Sequence, residues 1–445
     1  MSLSEVPGSL PERPVTDSPG PQAPLGTQDG PTTALAEPVE RVRALWVTGV
    51  VLVNVGINAA FFGPIQVLLG QQAIHFDEGQ KEAILALVTG CGAAVSMVAN
   101  PLFGAFSDRT TSRLGRRVPW VIFGAILATA ALLALAGAPN VAAMTILWCL
   151  VQAGCNGAYA AITAAVPDRV PVPQRGAVGG LAAMGQTVGI LTGAVIASVV
   201  SGNFGLGYIV CAAALLAGVV LYLFKNDDAP LPAESRPSFK LWTFVKGFWI
   251  SPVKYPDFAW AWLTRFLVNV GNHMVTLYLL FFLKDAVHLE ESQGIKPELG
   301  VLILTGLYAV MVIVTSVVGG AISDRMGKRK PLVIASSVVI SIAALILAFE
   351  PTWTGGIAGA VVLGIGFGAY LAVDFALITQ VLPTALDRGR DLGVINVANS
   401  LPQVIAPLIA YPFVAFWGGY VSLYVAAAVT GLLGAVFVVK IKGVQ

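Results

Sequence analysis

Twelve apolar stretches account for most of this chain, and they narrow what it can fold into more than any motif does. They run at roughly 44–69, 81–106, 118–137, 141–166, 176–200, 204–224, 257–283, 299–322, 331–349, 354–381, 391–414 and 418–440. A bilayer core about 30 Å thick takes about 20 apolar residues per helix, so stretches of this length can cross it. Hydrocarbon offers no hydrogen-bond partner to a peptide group, which leaves the α-helix as the form of an isolated span. Composition agrees: 56% of the 445 residues are hydrophobic and 11% charged, where a soluble domain carries about 25% charged residues. A water-soluble enzyme is excluded, and the fold class is an all-α membrane protein of twelve transmembrane helices.

The segments between the spans set the organisation. Residues 1–43 hold eight prolines and four glycines without hydrophobic periodicity, so they cannot bury enough apolar surface to offset their ordering entropy. They are acidic and lack the short apolar run of a signal peptide, and are expected to be a disordered cytoplasmic tail. The longest polar interruption, 225–256, contains Pro230, Pro232, Pro237 and five basic residues. It reads as a solvated cytoplasmic linker between an N-terminal bundle, 44–224, and a C-terminal bundle with a short cytoplasmic tail, 257–445. With the N-terminus placed inside, 22 Lys and Arg fall on the cytoplasmic side and three, Lys81, Lys284 and Lys296, outside. That asymmetry puts both termini in the cytoplasm of a multi-pass plasma-membrane protein, the inner membrane of a bacterial cell. A net charge of +2 carries no nucleic-acid signature. Cys91, Cys149, Cys155 and Cys211 lie in apolar runs without CxxC pairing, so neither a disulfide framework nor a metal site is implied.

The two bundles repeat each other. Leu52-Val53-Asn54-Val55-Gly56 returns as Leu267-Val268-Asn269-Val270-Gly271, an offset of 215. Gly104-Ala105-Phe106-Ser107-Asp108-Arg109 is answered by Gly320-Ala321-Ile322-Ser323-Asp324-Arg325 at offset 216, each followed by a basic group. A repeat of six spans, an even number, keeps the halves parallel about an axis along the membrane normal.

On these residues the chain resembles the major facilitator superfamily. The loop 2–3 signature of that family matches Gly104, Asp108, Arg109, Gly115, Arg116 and Arg117, and a weaker copy matches Gly320, Asp324, Arg325, Gly327 and Lys328. Within the superfamily, the run Ser107–Arg117 and the loop Val166-Pro167-Asp168-Arg169-Val170-Pro171 are similar to the sucrose-type and glycoside–cation symporters. The resemblance implies two pseudo-symmetric six-helix bundles, a central solute site and alternating access, with a monomer as the working unit. It also implies that each signature acid meets the start of span eleven or five, latching the outward-facing state, with the Gly and Arg positions completing the gate. One departure stands out. The acids that serve sodium in the glycoside branch correspond to Ser96, Asn100 and Tyr159, none of them a carboxylate, so sodium is not the expected ion.

An ionisable side chain at mid-membrane costs about 2.5–3.5 kcal/mol on insertion scales. Of the 24 acids only Asp374 lies deep in a span, and of the 26 bases only Arg265 does. Arg265, Asn269 and His273 recur every four residues in span seven beside Asn272, and Tyr370 shares a face with Asp374 in span ten. Span one offers Asn54 and Asn58; span four Gln152, Asn156 and Tyr159; span eleven Asn396, Asn399 and Gln403. Such stripes cannot face lipid, and carboxamides suit hydroxyl-rich ligands because each both donates and accepts. Asp374, Arg265 and His273 are therefore the expected proton-coupling groups, and the carboxamides and tyrosines the expected solute contacts. The competing expectation is a fixed Asp374–Arg265 bridge holding the two halves together, with the carboxamides as interhelical glue.

The expected function is proton-coupled transport of a small polar solute, a sugar or glycoside. The alternative on the same fold is an exporter or facilitator of a more amphipathic compound. No HExxH, GxSxG or phosphate loop occurs in a suitable context, which excludes the familiar enzyme chemistries, and no cofactor is expected. The partners are the solute and the bilayer. Small residues have a plainer reading: Gly185, Gly189 and Gly193 permit close helix approach, Gly364, Gly366 and Gly368 serve packing, and Gly63-Pro64 is expected to kink span one.

Overall fold

A computed structural model describes residues 38–200, 202–224, 228, 230, 251–326, 328–380 and 388–442, a few of them by backbone alone. Helices fill these ranges: α1 (Ala44–Phe76), α2 (Lys81–Ser107), α3 (Val118–Leu135), α4 (Val141–Arg169), α5 (Val172–Val199) and α6 (Phe204–Leu223). The second half supplies α7 (Pro256–Leu277), α8 (Pro297–Met326), α9 (Lys330–Phe349), α10 (Trp353–Gln380), α11 (Arg388–Phe416) and α12 (Gly419–Val438). After α7 the chain bends by 43° and continues as Leu279–Asp285. Each expected span is present. The expected tail and most of the linker, residues 1–37, 225–227, 229 and 231–250, lie outside the described residues.

Helix starts obey local chemistry. Asn140 and Asn203 accept the amides of Ala143 and Leu206 at 2.9 and 3.0 Å, satisfying donors that a first turn leaves open. Proline occupies the first turn of α3, α7 and α9, where its missing N–H costs nothing. α1 runs past its expected end at 69, and the polar side chains there find partners: Gln71 donates to Glu298 at 2.8 Å. Gln72 donates to the Leu135 carbonyl at 3.0 Å and accepts from the Tyr208 hydroxyl at 2.8 Å.

The packing repeats with the sequence. In the first half α1 lies against α5 and α6, α2 against α4, and α3 against α4 and α6. In the second, α7 lies against α11 and α12, α8 against α10, and α9 against α10 and α12, which are the same pairs six helices later. The halves meet through α2 on α11 and α5 on α8, again one pair and its equivalent.

Glycines set the closest approaches. A Cβ on Gly185, Gly189 or Gly193 of α5 would fall 2.7, 2.6 or 2.9 Å from the carbonyl oxygens of Val51, Val55 and Ala59 in α1. In α10, Gly364 and Gly368 face the α8 backbone while Gly366 faces α9. The expected kink at Gly63-Pro64 takes a specific form: residues Pro64–Leu68 make a π-helical turn, the Leu69 amide reaching back to the Pro64 carbonyl. Proline has no N–H to give the preceding turn, so a change of winding there is its natural consequence.

Candidate functional site

The two intramembrane ions meet. Arg265 Nη1 in α7 lies 2.5 Å from Asp374 Oδ2 in α10, and Asp374 is 4% exposed. Tyr370, one turn earlier on α10, donates its hydroxyl to Asp374 Oδ1 at 2.7 Å. Arg265 Nε donates to Asn399 Oδ1 of α11 at 2.7 Å, and Asn269 Nδ2 turns back to the Arg265 carbonyl at 2.9 Å. One ion pair thus ties α7, α10 and α11, all in the second half, so it does not hold the two halves to each other. Removing either partner would strand a buried charge, whereas protonating the carboxylate discharges one side of the pair without deleting an atom.

A cavity of about 360 Å³ adjoins this cluster. Of the expected site residues, Asn269, Asn272, His273, Asn399 and Gln403 line it. Sequence reasoning passed over Phe62 and Gln66 of α1, Thr187 of α5, Thr276 of α7 and Tyr308 of α8, which line it too. The Tyr308 hydroxyl approaches Asn272 Oδ1 at 3.4 Å. Phe367, a wall residue, stacks on Tyr370 with ring centroids 6.0 Å apart, linking the cavity to the ion pair. A signal for Gln66 was present in the Gly63-Pro64 pair just before it.

The N-terminal candidates do not line this cavity. Asn54 donates to the Val50 carbonyl at 2.9 Å and Asn58 to the Asn54 carbonyl at 2.8 Å, each four residues back on its own helix. Asn156 donates to the Gln152 carbonyl at 2.9 Å and to its side-chain oxygen at 3.3 Å. Gln152 is buried, and Tyr159 accepts from Gln186 of α5 at 2.9 Å. Asn54, Asn58 and Asn156 thus donate to their own helices, while Tyr159 ties α4 to α5. The Asn396 side chain lies outside the described residues.

The loops at the face carrying both chain ends form a second polar cluster. Arg117 pairs with Asp108 and with Asp168 of α4, both at 2.7 Å, and Arg116 pairs with Asp168 at 2.6 Å. Arg117 also donates to Ser107 at 3.0 Å, and Arg329 bonds Ser323 in the equivalent place of the second half. Asp108 is paired here within its own loop. Arg109 bonds the Ala105 carbonyl, and a Cβ on Gly104 or Gly320 would meet nothing within 4 Å. Arg325 closes the last turn of α8; Gly327 and the Asp324 side chain lie outside the described residues.

One linker residue is not solvated as expected. Asp228 Oδ2 accepts the amides of Arg117 and Val118 at 2.5 and 3.1 Å, capping α3. Gly115, at φ +94°, makes room: a Cβ there would overlap the Asp228 carboxyl. Burial pushes the Asp228 carboxyl above the usual carboxylate range, against the pull of those amides and of Arg117. For Arg117, burial opposes the charge but Asp168 and Asp108 outweigh it, raising its pKa.

At the far face the two halves are clasped directly. Lys81, at the start of α2, lies 2.6 Å from Asp285 beyond α7, and Tyr420 donates to the same carboxylate at 2.9 Å. Lys284 pairs with Glu78 at 2.7 Å, and Gln71 donates to Glu298 at 2.8 Å. The Lys81 side chain is 8% exposed, although it belongs to a loop-end position where the sequence suggested only topology.

The family described as Major Facilitator Superfamily matches residues 48–300 and 288–443. The multi-drug resistance efflux pump PmrA of Streptococcus pneumoniae is 25% identical over 316 residues, 68% of this chain and 73% of that one. The glucose transporter GlcP of Staphylococcus epidermidis is 22% identical over 390 residues, 78% of this chain and 83% of that one. A crystal structure of a peptide transporter, POT, in complex with sulfate superposes with a TM-score of 0.70 at 15% identity, covering 92% of this chain and 96% of that one.

Proposed function

The chain belongs to the Major Facilitator Superfamily and is a transporter; from that premise we propose that it couples proton movement to transport of a small uncharged solute, a sugar or glycoside. The coupling site in this reading is Asp374 with Arg265, and the solute binds in the adjoining cavity. The chain works as a monomer in the plasma membrane with both termini cytoplasmic, and the proton rather than sodium is the coupling ion.

The observation that carries the reading is the ion pair itself, held at 2.5 Å beside a cavity and braced by Tyr370 and Asn399. Protonation of Asp374 removes its attraction for Arg265 and loosens α10 from α7. Asn269 and Asn399 both touch this cluster and line the cavity, so a solute that engages them alters the same bonds. Proton and solute then favour one conformation together, which is what coupling requires. In this reading the clasped far face belongs to the inward-facing member of the cycle. In the outward-facing member the clasp parts, and Asp108 leaves Arg117 for the start of α11.

A second reading, export of a more amphipathic compound, is favoured by the apolar wall that α8, α9 and α10 give the cavity. External pH in a lightly buffered suspension of proteoliposomes, with a panel of mono- and disaccharides, separates the two. Alkalinisation on adding one sugar, absent with Asp374→Asn, supports the symport reading. Entry of labelled sugar without proton movement would make Asp374 structural, and no entry of any sugar would favour export.

A further inference from the structure

The cavity has two unlike sides. Gln66, Asn269, Asn272, His273, Asn399 and Gln403 come from α1, α7 and α11 and present neutral hydrogen-bonding groups. Leu304, Val312, Leu347, Leu363, Phe367 and Leu371 come from α8, α9 and α10 and present none, with Thr305 and Tyr308 of α8 the polar exceptions on that side. Among the described residues no Asp, Glu, Lys or Arg lines the space, and the adjoining Arg265 and Asp374 are paired with each other.

Two of the polar groups are open to a ligand. The Gln66 amide oxygen is buried without a hydrogen-bond partner, and the His273 ring has none among the described residues. Gln66 stands in the π-helical turn Pro64–Leu68. A π turn takes one more residue than an α turn, so it rotates the rest of the helix about its axis, and such turns recur at functional sites. Here a carboxamide from the N-terminal half joins the α7 stripe of the C-terminal half in lining one cavity.

We infer that the solute is an uncharged amphiphile, a hydroxyl-bearing edge joined to an apolar face, as in an aryl glycoside rather than a free hexose, and that Gln66 is a specificity-determining contact for the hydroxyl edge. This rests on the reading that the cavity is the solute site. A charged solute would lose its hydration to a wall with no opposite charge. A fully hydroxylated sugar would leave hydroxyls facing leucine and phenylalanine, and a fully apolar compound would leave Gln66 and His273 unpaired.

The test measures binding to the full chain in lipid nanodiscs by calorimetry. The probes are the methyl and phenyl glycosides of glucose, galactose and mannose, with the matching hexuronates. The phenyl glycoside of one hexose should bind at least about tenfold tighter than its methyl partner, about 1.4 kcal/mol, and the hexuronate should not bind. Gln66→Leu should weaken the phenyl glycoside about tenfold while narrowing its advantage over 4-ethylphenol, with an unchanged melting temperature. Equal binding of methyl and phenyl glycosides, tight binding of a hexuronate, or a Gln66→Leu variant with the parent's preferences would each overturn the inference. If no glycoside binds while another solute drives Asp374-dependent proton movement, this inference fails and the coupling reading stands. If phenyl glycosides bind and enter without proton movement, coupling fails and the inference stands.

Discussion

The α1–α5 seam of the first half and the α7–α11 seam of the second occupy equivalent places in the repeat, and they are built from opposite chemistries. In the first, three glycines bring the α5 backbone against carbonyl oxygens of α1, so no side chain fits between. In the second, Arg265 and Asn399 reach across at 2.7 Å, and Trp262 donates to the Val394 carbonyl at 2.8 Å. On α1 of the first seam, Asn54 and Asn58 donate to their own helix, whereas on the second seam Arg265 bonds across to Asn399 and Asn269 faces the cavity. The repeat supplies the scaffold twice, and the chemistry lies where the two copies have diverged.

The sharpest way to break this contrast is to strip Arg265 of its charge. Arg265→Met leaves Asp374 buried and unpaired and should cost about 3–5 kcal/mol, seen as a large fall in melting temperature. The double variant Arg265→Met with Asp374→Leu should recover much of that stability but no proton-coupled transport. A double variant that still transports with protons would remove the pair from the coupling path. Next in size is the other seam: Gly189→Val must push apart backbones already within 2.6 Å of a new Cβ. Overpacking of that kind costs about 1–3 kcal/mol, readable as a lower melting temperature and less folded protein in the membrane. Asp228→Ala removes the cap of α3 and should cost about 1 kcal/mol, with a smaller fall in melting temperature and no change in solute affinity. The smallest effect is expected at Asn156→Ala in α4. A single carboxamide bond inside a membrane bundle is worth about 0.6 kcal/mol, and solute affinity should not move. A tenfold loss of affinity there would instead bring the N-terminal stripe back into the site.

Much of the scaffold is legible before any coordinates. Span length, the six-span repeat and the glycine spacing are dictated by hydrocarbon thickness and helix pitch, and the packing pairs repeat accordingly. Asp374 and Arg265 are legible for a different reason: the cost of an ion in lipid singles out any residue kept against it. Spacing alone is weaker. It places Asn54 and Asn58 on one face as surely as Asn269 and His273, but it cannot tell a side chain bonded to its own helix from one facing a cavity. Gln66 escaped because a glutamine near a span end looks interfacial until the π turn is seen. Asp228 escaped because a proline-rich linker gives no periodicity from which to place a cap. The far-face charges escaped because Lys81 and Asp285, 204 residues apart, each resemble an ordinary loop charge.

The far-face clasp also has a consequence for how the surroundings act on the molecule. Its charges are neutralised pairwise while the halves touch, with Lys81 largely hidden, and parting them hands a cation and an anion to the medium on that side. Dissolved ions screen separated charges at the surface far better than paired ones out of water. In the proposed cycle, the ionic strength bathing the far face would therefore weight the balance between the two conformations. Dilute surroundings would hold the clasp shut, and saline ones would ease it open without binding at any dedicated site.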